Sequence, residues 1–392
     1  MSTSTITFYP VDNGGMSLVK LNDSKDTTIL IDMHIRSAAD NDNEDAFDVA
    51  KDLRKQIKTD DKKRPFVDVL LLTHNDDDHV KGLQNHFYLG DIADYKMPEE
   101  DDDEEPLIII KEMWSSYRFW KRASNSNKLC DDAKAFNREM KRRVTLFEEK
   151  EKIQNEGNRA LIIGKDPDGK TDKILEIVRE IDSIFTKVNN RELSEKLSIR
   201  VLGPIPQQED EKDDDYNKKN RGSVILQLTV IENEYENKIF STGDAGVFVW
   251  DCLWDKHKKS KSKLEYDILM APHHCSWRSL SHDSYSESDD PKVSTNAKNA
   301  LSQKKEGAYI ISSSKPIKDD DNDPPSHAAK KEYEAFVTKK HFLCTAEEPS
   351  EKKPKPIVFN LTKSGPQRKS SKAKSKQNIA AESSTQKVWT HG

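Results

Sequence analysis

Only four cysteines occur in the 392 residues, and Cys130, Cys252, Cys275 and Cys344 are widely spaced with no CxxC pair, which argues against a disulfide framework or a zinc ribbon. No apolar run approaches the roughly 20 residues that a bilayer-spanning helix needs, and the N-terminus lacks the basic-then-apolar order of a secretory signal. There is no internal repeat. Excess charge of one sign is scarce too: 64 basic residues stand against 70 acidic ones for a net charge of -6, so attraction to a polyanion has to come from local patches. Together these absences read as a soluble cytoplasmic protein in a reducing compartment.

Hydrophobic and charged residues each make up 34% of the chain, so the core is expected to lie in a few apolar stretches. Ile6–Tyr9, Ser17–Leu21 and Thr28–Asp32 read as short strands separated by Asn-Gly-Gly and Asn-Asp-Ser turns. Residues 43–58 carry helical spacing, and Phe66–Leu72 is an apolar run fit for a buried strand. Strand signals resume at Leu197–Leu202, Ser223–Val230, Lys238–Thr242, Asp267–Ala271, Ala308–Ser312 and Pro356–Leu361.

Between these two sets, residues 91–195 change character, with an acidic run at Asp101–Glu105, an apolar piece at Leu107–Ile110 and then long, highly charged helical stretches. Asp131–Gln154 has helical character without a strong apolar stripe and reads as an exposed helix or hairpin inserted into the fold. The runs Glu209–Asp215 and Asp319–Asp323 lack calcium-loop spacing and read as solvated loops. Residues 363–392 form a basic Lys/Ser/Gln tail expected to be disordered.

The chemistry concentrates just after Phe66–Leu72. In His74-Asn75-Asp76-Asp77-Asp78-His79, two imidazoles and three carboxylates fall within six residues, a donor set suited to divalent cations. Along an extended loop His74 and Asp76 can converge on one ion while Asp78 and His79, at a helix start, reach a second. A polar loop with an N-cap at Asp78 would show the same residues. Two further strands end in donors: Lys238–Asp244 closes on Gly243-Asp244, and Asp267–Ser276 on Pro272-His273-His274-Cys275-Ser276. A polar turn, Asn220-Arg221-Gly222-Ser223, opens another strand.

Taken in order, these four motifs resemble the hydrolase domain of the ComEC competence proteins, a branch of the metallo-β-lactamase superfamily. The resemblance covers roughly residues 5–90 and 196–362 and leaves the charged segment unmatched. It implies an α+β fold, the αββα sandwich of that superfamily, with residues 1–90 and 196–362 as the hydrolase core and 91–195 as a charged, largely helical insertion. It also implies two divalent metal ions, zinc or manganese. His74 and Asp76 would hold one, Asp78 and His79 the other, and Asp244 would bridge them, with His273 or His274 completing the second site.

His327, in Pro324-Pro325-Ser326-His327, falls where relatives place a late histidine near the metals. By the same resemblance the nucleophile is a metal-bound hydroxide oriented by Asp78 and Asp244, with His327 or the non-ligand member of His273 and His274 as proton donor. Asn220, Ser223 and Ser276 are expected to meet substrate or support the ligands. Cys275 stands where relatives usually have glycine, as a buried filler or, alternatively, a thiolate ligand. The opening turn, Asp12–Met16, lacks the acidic residue often found there.

The ComEC-like branch is associated with DNA degradation, so the leading expectation is a phosphodiesterase acting on nucleic acid. Basic stretches at Lys258–Lys263, Arg138–Arg143 and the tail are available to track a phosphate backbone. A small phosphodiester, nucleotide or lactone would suit the same fold. A largely non-catalytic interaction module, docking through residues 91–195, is the third reading. Unlike ComEC itself, this chain has no run able to form a membrane channel, and it reads as a stand-alone relative.

Overall fold

All eight residues of Pro65–Leu72 are buried, the signature of a parallel strand covered on both faces. In the computed structural model, which describes residues 3–37, 46–99, 104–119, 129–149, 154–205 and 220–369, that strand lies within an 11-stranded sheet. The sheet is built chiefly from β1 (Thr5–Phe8), β2 (Ser17–Lys20), β3 (Thr28–Ile31), β4 (Pro65–Leu72), β5 (Ile108–Ser116), β6 (Arg159–Ile163) and β7 (Val178–Arg179). A second, 7-stranded sheet runs β8 (Ile184–Phe185), β9 (Leu197–Gly203), β10 (Ile225–Glu232), β11 (Tyr235–Ser241), β12 (Tyr266–Met270), β13 (Lys304–Ser312) and β14 (Phe342–Cys344). The chain then returns to the first sheet, where β15 (Ile357–Thr362) pairs with β1 and β16 (Gly365–Arg368) pairs with β15.

Both sheets are part antiparallel and part parallel. β3 to β7 run parallel in the first, and β11 to β14 in the second. The inner faces share one core, in which Ile6, Val69 and Leu71 meet Leu228, Ile239 and Ile268. On the outer face of the first sheet lie α1 (Val49–Gln56) and α3 (Asp131–Glu149), and between them in sequence is the single turn α2 (Asp77–Val80). On the outer face of the second lie α4 (Val247–His257), α5 (Thr295–Leu301) and α6 (His327–Val337). The chain is therefore a mixed α/β protein with two facing sheets and helices outside each. No helix among the described residues is long and apolar enough to cross a membrane.

Residues 91–195 differ from the expected largely helical insertion. They supply β5, whose nine residues are nearly all buried, together with β6, β7 and β8, so both sheets depend on them. Short apolar runs had been masked by the charge on either side of them. Nor is Asp131–Glu149 an exposed helix. Ala133, Phe136, Met140, Val144 and Phe147 recur at three- and four-residue spacing and pack on the sheet. Arg143, only 1% exposed, is fully engaged: it donates to Glu139 and to the carbonyls of Ile110 and Arg159.

The helix expected over 43–58 is Val49–Gln56, capped by Asp48, whose side chain accepts from the Lys51 amide; residues 43–45 lie outside the described ones. Residues 365–368, expected to belong to a disordered tail from 363, instead form β16. Residues 370–392 and the Glu209–Asp215 run lie outside the described residues.

Candidate metal centre

Ligands in open parallel sheets gather beyond the carboxyl ends of the strands, and here the donors of both sheets do so. β3 leads into Asp32, β4 into His74–His79, β11 into Asp244, and β12 into His273 and His274. The chain enters the last pair through three consecutive left-handed residues, His273 (φ 47°), His274 (φ 54°) and Cys275 (φ 67°). In an extended strand neighbouring side chains point to opposite faces. The left-handed turn instead brings both rings to one carboxylate, at a backbone cost typical of functional sites.

That carboxylate is Asp244, 3% exposed. Its Oδ1 lies 3.0 Å from His79 Nε2 and 3.5 Å from His274 Nε2. Its Oδ2 lies 3.7 Å from His273 Nε2 and 3.9 Å from His74 Nδ1. Asp78 Oδ2 adds to the first group, 3.2 Å from His274 Nε2, and Asp76 Oδ2 to the second, 3.6 Å from His74 Nδ1. One ligand atom from each of Asp78, His79, Asp244 and His274 falls within 4.8 Å of all the others. The second group is looser.

Proton placement tests whether this donor set fits a cation. His79 Nδ1 donates to Asp32 Oδ2 at 2.9 Å, and His274 Nδ1 donates to the Ser313 carbonyl at 2.9 Å. Each ring thus spends its one neutral-form hydrogen on the far side and turns its Nε2 lone pair toward Asp244. Lone pairs facing a carboxylate are tolerable only with a positive charge between them, a proton or a metal ion. Burial disfavours charge on His79, but Asp244 and Asp32 outweigh it and raise its pKa well above 6.5. His274 is raised for the same reason by Asp244 and Asp78.

Burial also opposes ionisation of Asp244 and Asp78. For Asp244 the charges of His79, His273 and His274 prevail, and for Asp78 the His274 hydrogen bond and the His79 charge, so both carboxyls are held below their ordinary range. His273, by contrast, is lowered to about 4 by burial. The residues fit a divalent ion.

Asp32 was not singled out in the sequence. Besides orienting His79 it accepts the Thr73 backbone N–H at 2.6 Å, and the Thr73 hydroxyl donates to its Oδ2. Gly15 was noted only as part of a turn, yet a Cβ there would stand 2.7 Å from Asp32 Oδ2 and 2.9 Å from His79 Nδ1. The signal available was position: an acidic residue closing the strand next to the one that carries the motif. His34, whose sequence neighbours give no ligand-like spacing, sits against Gly14, and burial lowers its pKa to about 4.

The remaining expected site residues divide. Val224 donates its amide to the Thr73 carbonyl at 2.9 Å, which sets Asn220–Ser223 beside the motif loop. Asn220 Nδ2, Ser223 Oγ and both amide atoms of Asn75 are buried without a hydrogen-bond partner among the described residues. Ser276 is not presented to the centre, because its hydroxyl accepts the Arg278 amide as a helix cap. His327 is not brought in either: it starts α6 and its Nδ1 pairs with Asp319 Oδ1 at 2.6 Å. His274, expected as a possible proton donor, is buried and turned to Asp244 as a ligand would be. Cys275 is 0% exposed, its thiol donates to the Ser326 carbonyl at 3.8 Å and it is not among the clustered donors, so it packs as a buried filler. No protein-family model and no curated protein matches the chain.

Proposed function

We propose that the chain is a metal-dependent hydrolase of metallo-β-lactamase type, a phosphodiesterase that cleaves nucleic acid. The observation that carries this reading is the Asp244 carboxylate, each of whose oxygens faces its own pair of imidazoles. Asp78, His79, His274 and Asp244 would hold one divalent ion, zinc or manganese. His74, Asp76, His273 and the other Asp244 oxygen would hold a second.

When bound, such ions supply Lewis acidity at a phosphate oxygen and make water available as hydroxide near neutral pH. The chain's own groups do the rest. Asp32 and the Ser313 carbonyl fix which nitrogen of His79 and of His274 carries hydrogen. Asp78, with a side chain 33% exposed, is the carboxylate of the tighter group that solvent and substrate can reach. The amide groups of Asn75 and Asn220 and the Ser223 hydroxyl are donors left for substrate oxygens.

A polymeric substrate would have exposed Lys259 and Lys261 in the turn after α4 to track its backbone, but that turn leads into the start of β12, at the end of the strand away from the ligands. Arg142 and Arg143, expected to contribute, are instead consumed by Glu139, Asn158 and backbone carbonyls. The test is hydrolysis of linear single- and double-stranded DNA, RNA and a chromogenic diester, with manganese or zinc, with chelator, and with Asp244→Asn. Chelator-sensitive polymer cleavage that the variant loses is the expected result. Cleavage of the diester alone would move the substrate to a small molecule, and no cleavage of any substrate would overturn the proposal.

A further inference from the structure

The metal ligands come from both sheets. His74, Asp76, Asp78 and His79 follow β4 of the first sheet, whereas Asp244, His273 and His274 follow β11 and β12 of the second. Something has to hold the two groups in register to within a few tenths of an ångström, since a ligand set displaced by 1 Å is a poor site. On one flank the Val224 amide bonded to Thr73 does this. The other flank is held by a denser set of bonds that centres on Asn13 and Ser313.

Asn13 lies in the β1–β2 turn of the first sheet. Its Nδ2 donates to the Pro324 carbonyl at 2.9 Å, and its Oδ1 accepts the Lys315 amide at 3.0 Å, both on the connection between β13 and α6 of the second sheet. Ser313, on that same connection, donates its hydroxyl to the Gly14 carbonyl at 2.6 Å. From there the bonds reach the ligands in one further step on each side. The Ser313 carbonyl accepts from His274 Nδ1 at 2.9 Å, and the Gly15 amide donates to the Asp78 carbonyl at 2.9 Å. His274 and Asp78 are the pair whose side chains stand 3.2 Å apart across the sheets. A Cβ at Gly14 would stand 2.1 Å from His34 Nδ1 and 2.8 Å from the Asp78 carbonyl oxygen, so the turn lies close against both.

We propose that Asn13 and Ser313 are positioning residues for the metal centre, a clamp that fixes the His274 side of the site against the Asp78 side. The inference rests on the reading of the cluster as a metal site. Neither residue touches the ligand set with its own side chain: Ser313 reaches His274 through its own carbonyl, which its hydroxyl bond to Gly14 holds in place, and Asn13 acts through the backbone of its neighbours. Removing an outer partner of a metal ligand characteristically weakens metal binding by about 10- to 100-fold.

The test measures zinc affinity by competition with a chromogenic chelator and the visible spectrum of the cobalt-substituted full-length protein. The variants are Asn13→Ala, Ser313→Ala, the two together, Ser313→Thr and the control Asn322→Ala, whose amide bonds only within its exposed loop to Asp320. Expected is a loss of affinity of about 10-fold or more in each alanine variant, a double variant weaker by less than the product, and an altered cobalt spectrum. Ser313→Thr, which keeps the hydroxyl, and Asn322→Ala should bind as the wild type does.

Unchanged affinity and spectrum in Asn13→Ala and Ser313→Ala, with wild-type binding intact, would overturn the clamp alone. Absence of zinc binding by the wild type would overturn the metal reading and the clamp with it. Should an alanine variant fail to fold, Asn13→Asp removes only the donor to Pro324, and unchanged zinc binding there would count against the clamp in the same way.

Discussion

In the proposed metal centre, Asp32 would act without meeting the ion. Its carboxylate orders the Thr73 backbone and the His79 ring together, so Asp32→Asn should weaken zinc or manganese binding by about 10- to 100-fold, measurable by chelator competition. Gly15→Ala should abolish tight binding more completely, because its Cβ would overlap both Asp32 and His79.

Protonation gives a further prediction at this scale. His79 and His274 have pKa values raised above 6.5, so in the metal-free protein both tend to hold protons that an ion must displace. Metal binding should therefore release protons near neutral pH and weaken as pH falls, which calorimetry in buffers of different ionisation enthalpy would read directly. Without metal the sign is that of a raised histidine: the stability it contributes is complete below 6.5 and is lost as pH rises through the folded-state value. The donors that the fold gathers around Asp244 were legible in the sequence because they fall in four motifs at strand ends. Asp32 was not, since one acidic residue at a strand end carries no spacing, and only the fold shows that β3 and β4 end side by side.

At the scale of elements, α3 carries the main lesson. Its apolar positions are a clean stripe, but Glu139 and Arg143 are interleaved with them and make the sequence look solvated. Burial of that pair reverses its meaning. Glu139 is 4% exposed and accepts from both Arg142 and Arg143, so Glu139→Ala would leave Arg143 charged and unpaired within the protein. A loss of about 3–5 kcal/mol in denaturant unfolding is expected. Phe136→Ala should cost a similar amount, about 3–5 kcal/mol, by opening a cavity against the sheet. The strands of the first and last thirds were readable because apolar runs stand between turn residues. Of β5 only the apolar start, within Leu107–Ile110, stood out, and β6 was hidden by averaging: each is a short buried run between charged segments, and local composition describes their surroundings rather than the strands.

For the whole molecule, a sheet that takes strands from residues 108–116, 159–163 and 178–179 cannot be cut there. β5 lies directly beside β4, whose end carries His74–His79, so replacing residues 91–195 with a short linker should yield no soluble, cooperatively folding protein by circular dichroism and thermal melting. The division of the ligands between two facing sheets has its own consequence. An ion held by Asp78 and His79 on one side and by Asp244 and His274 on the other is a cross-link between layers that are otherwise joined by dispersion and a handful of hydrogen bonds. Unlike a disulfide it is reversible, and its strength follows the free metal concentration. At 100 times the dissociation constant it would add about 2.7 kcal/mol to folding. The melting temperature would then report on metal supply, and starvation for the ion would leave the two halves of the sandwich less firmly riveted.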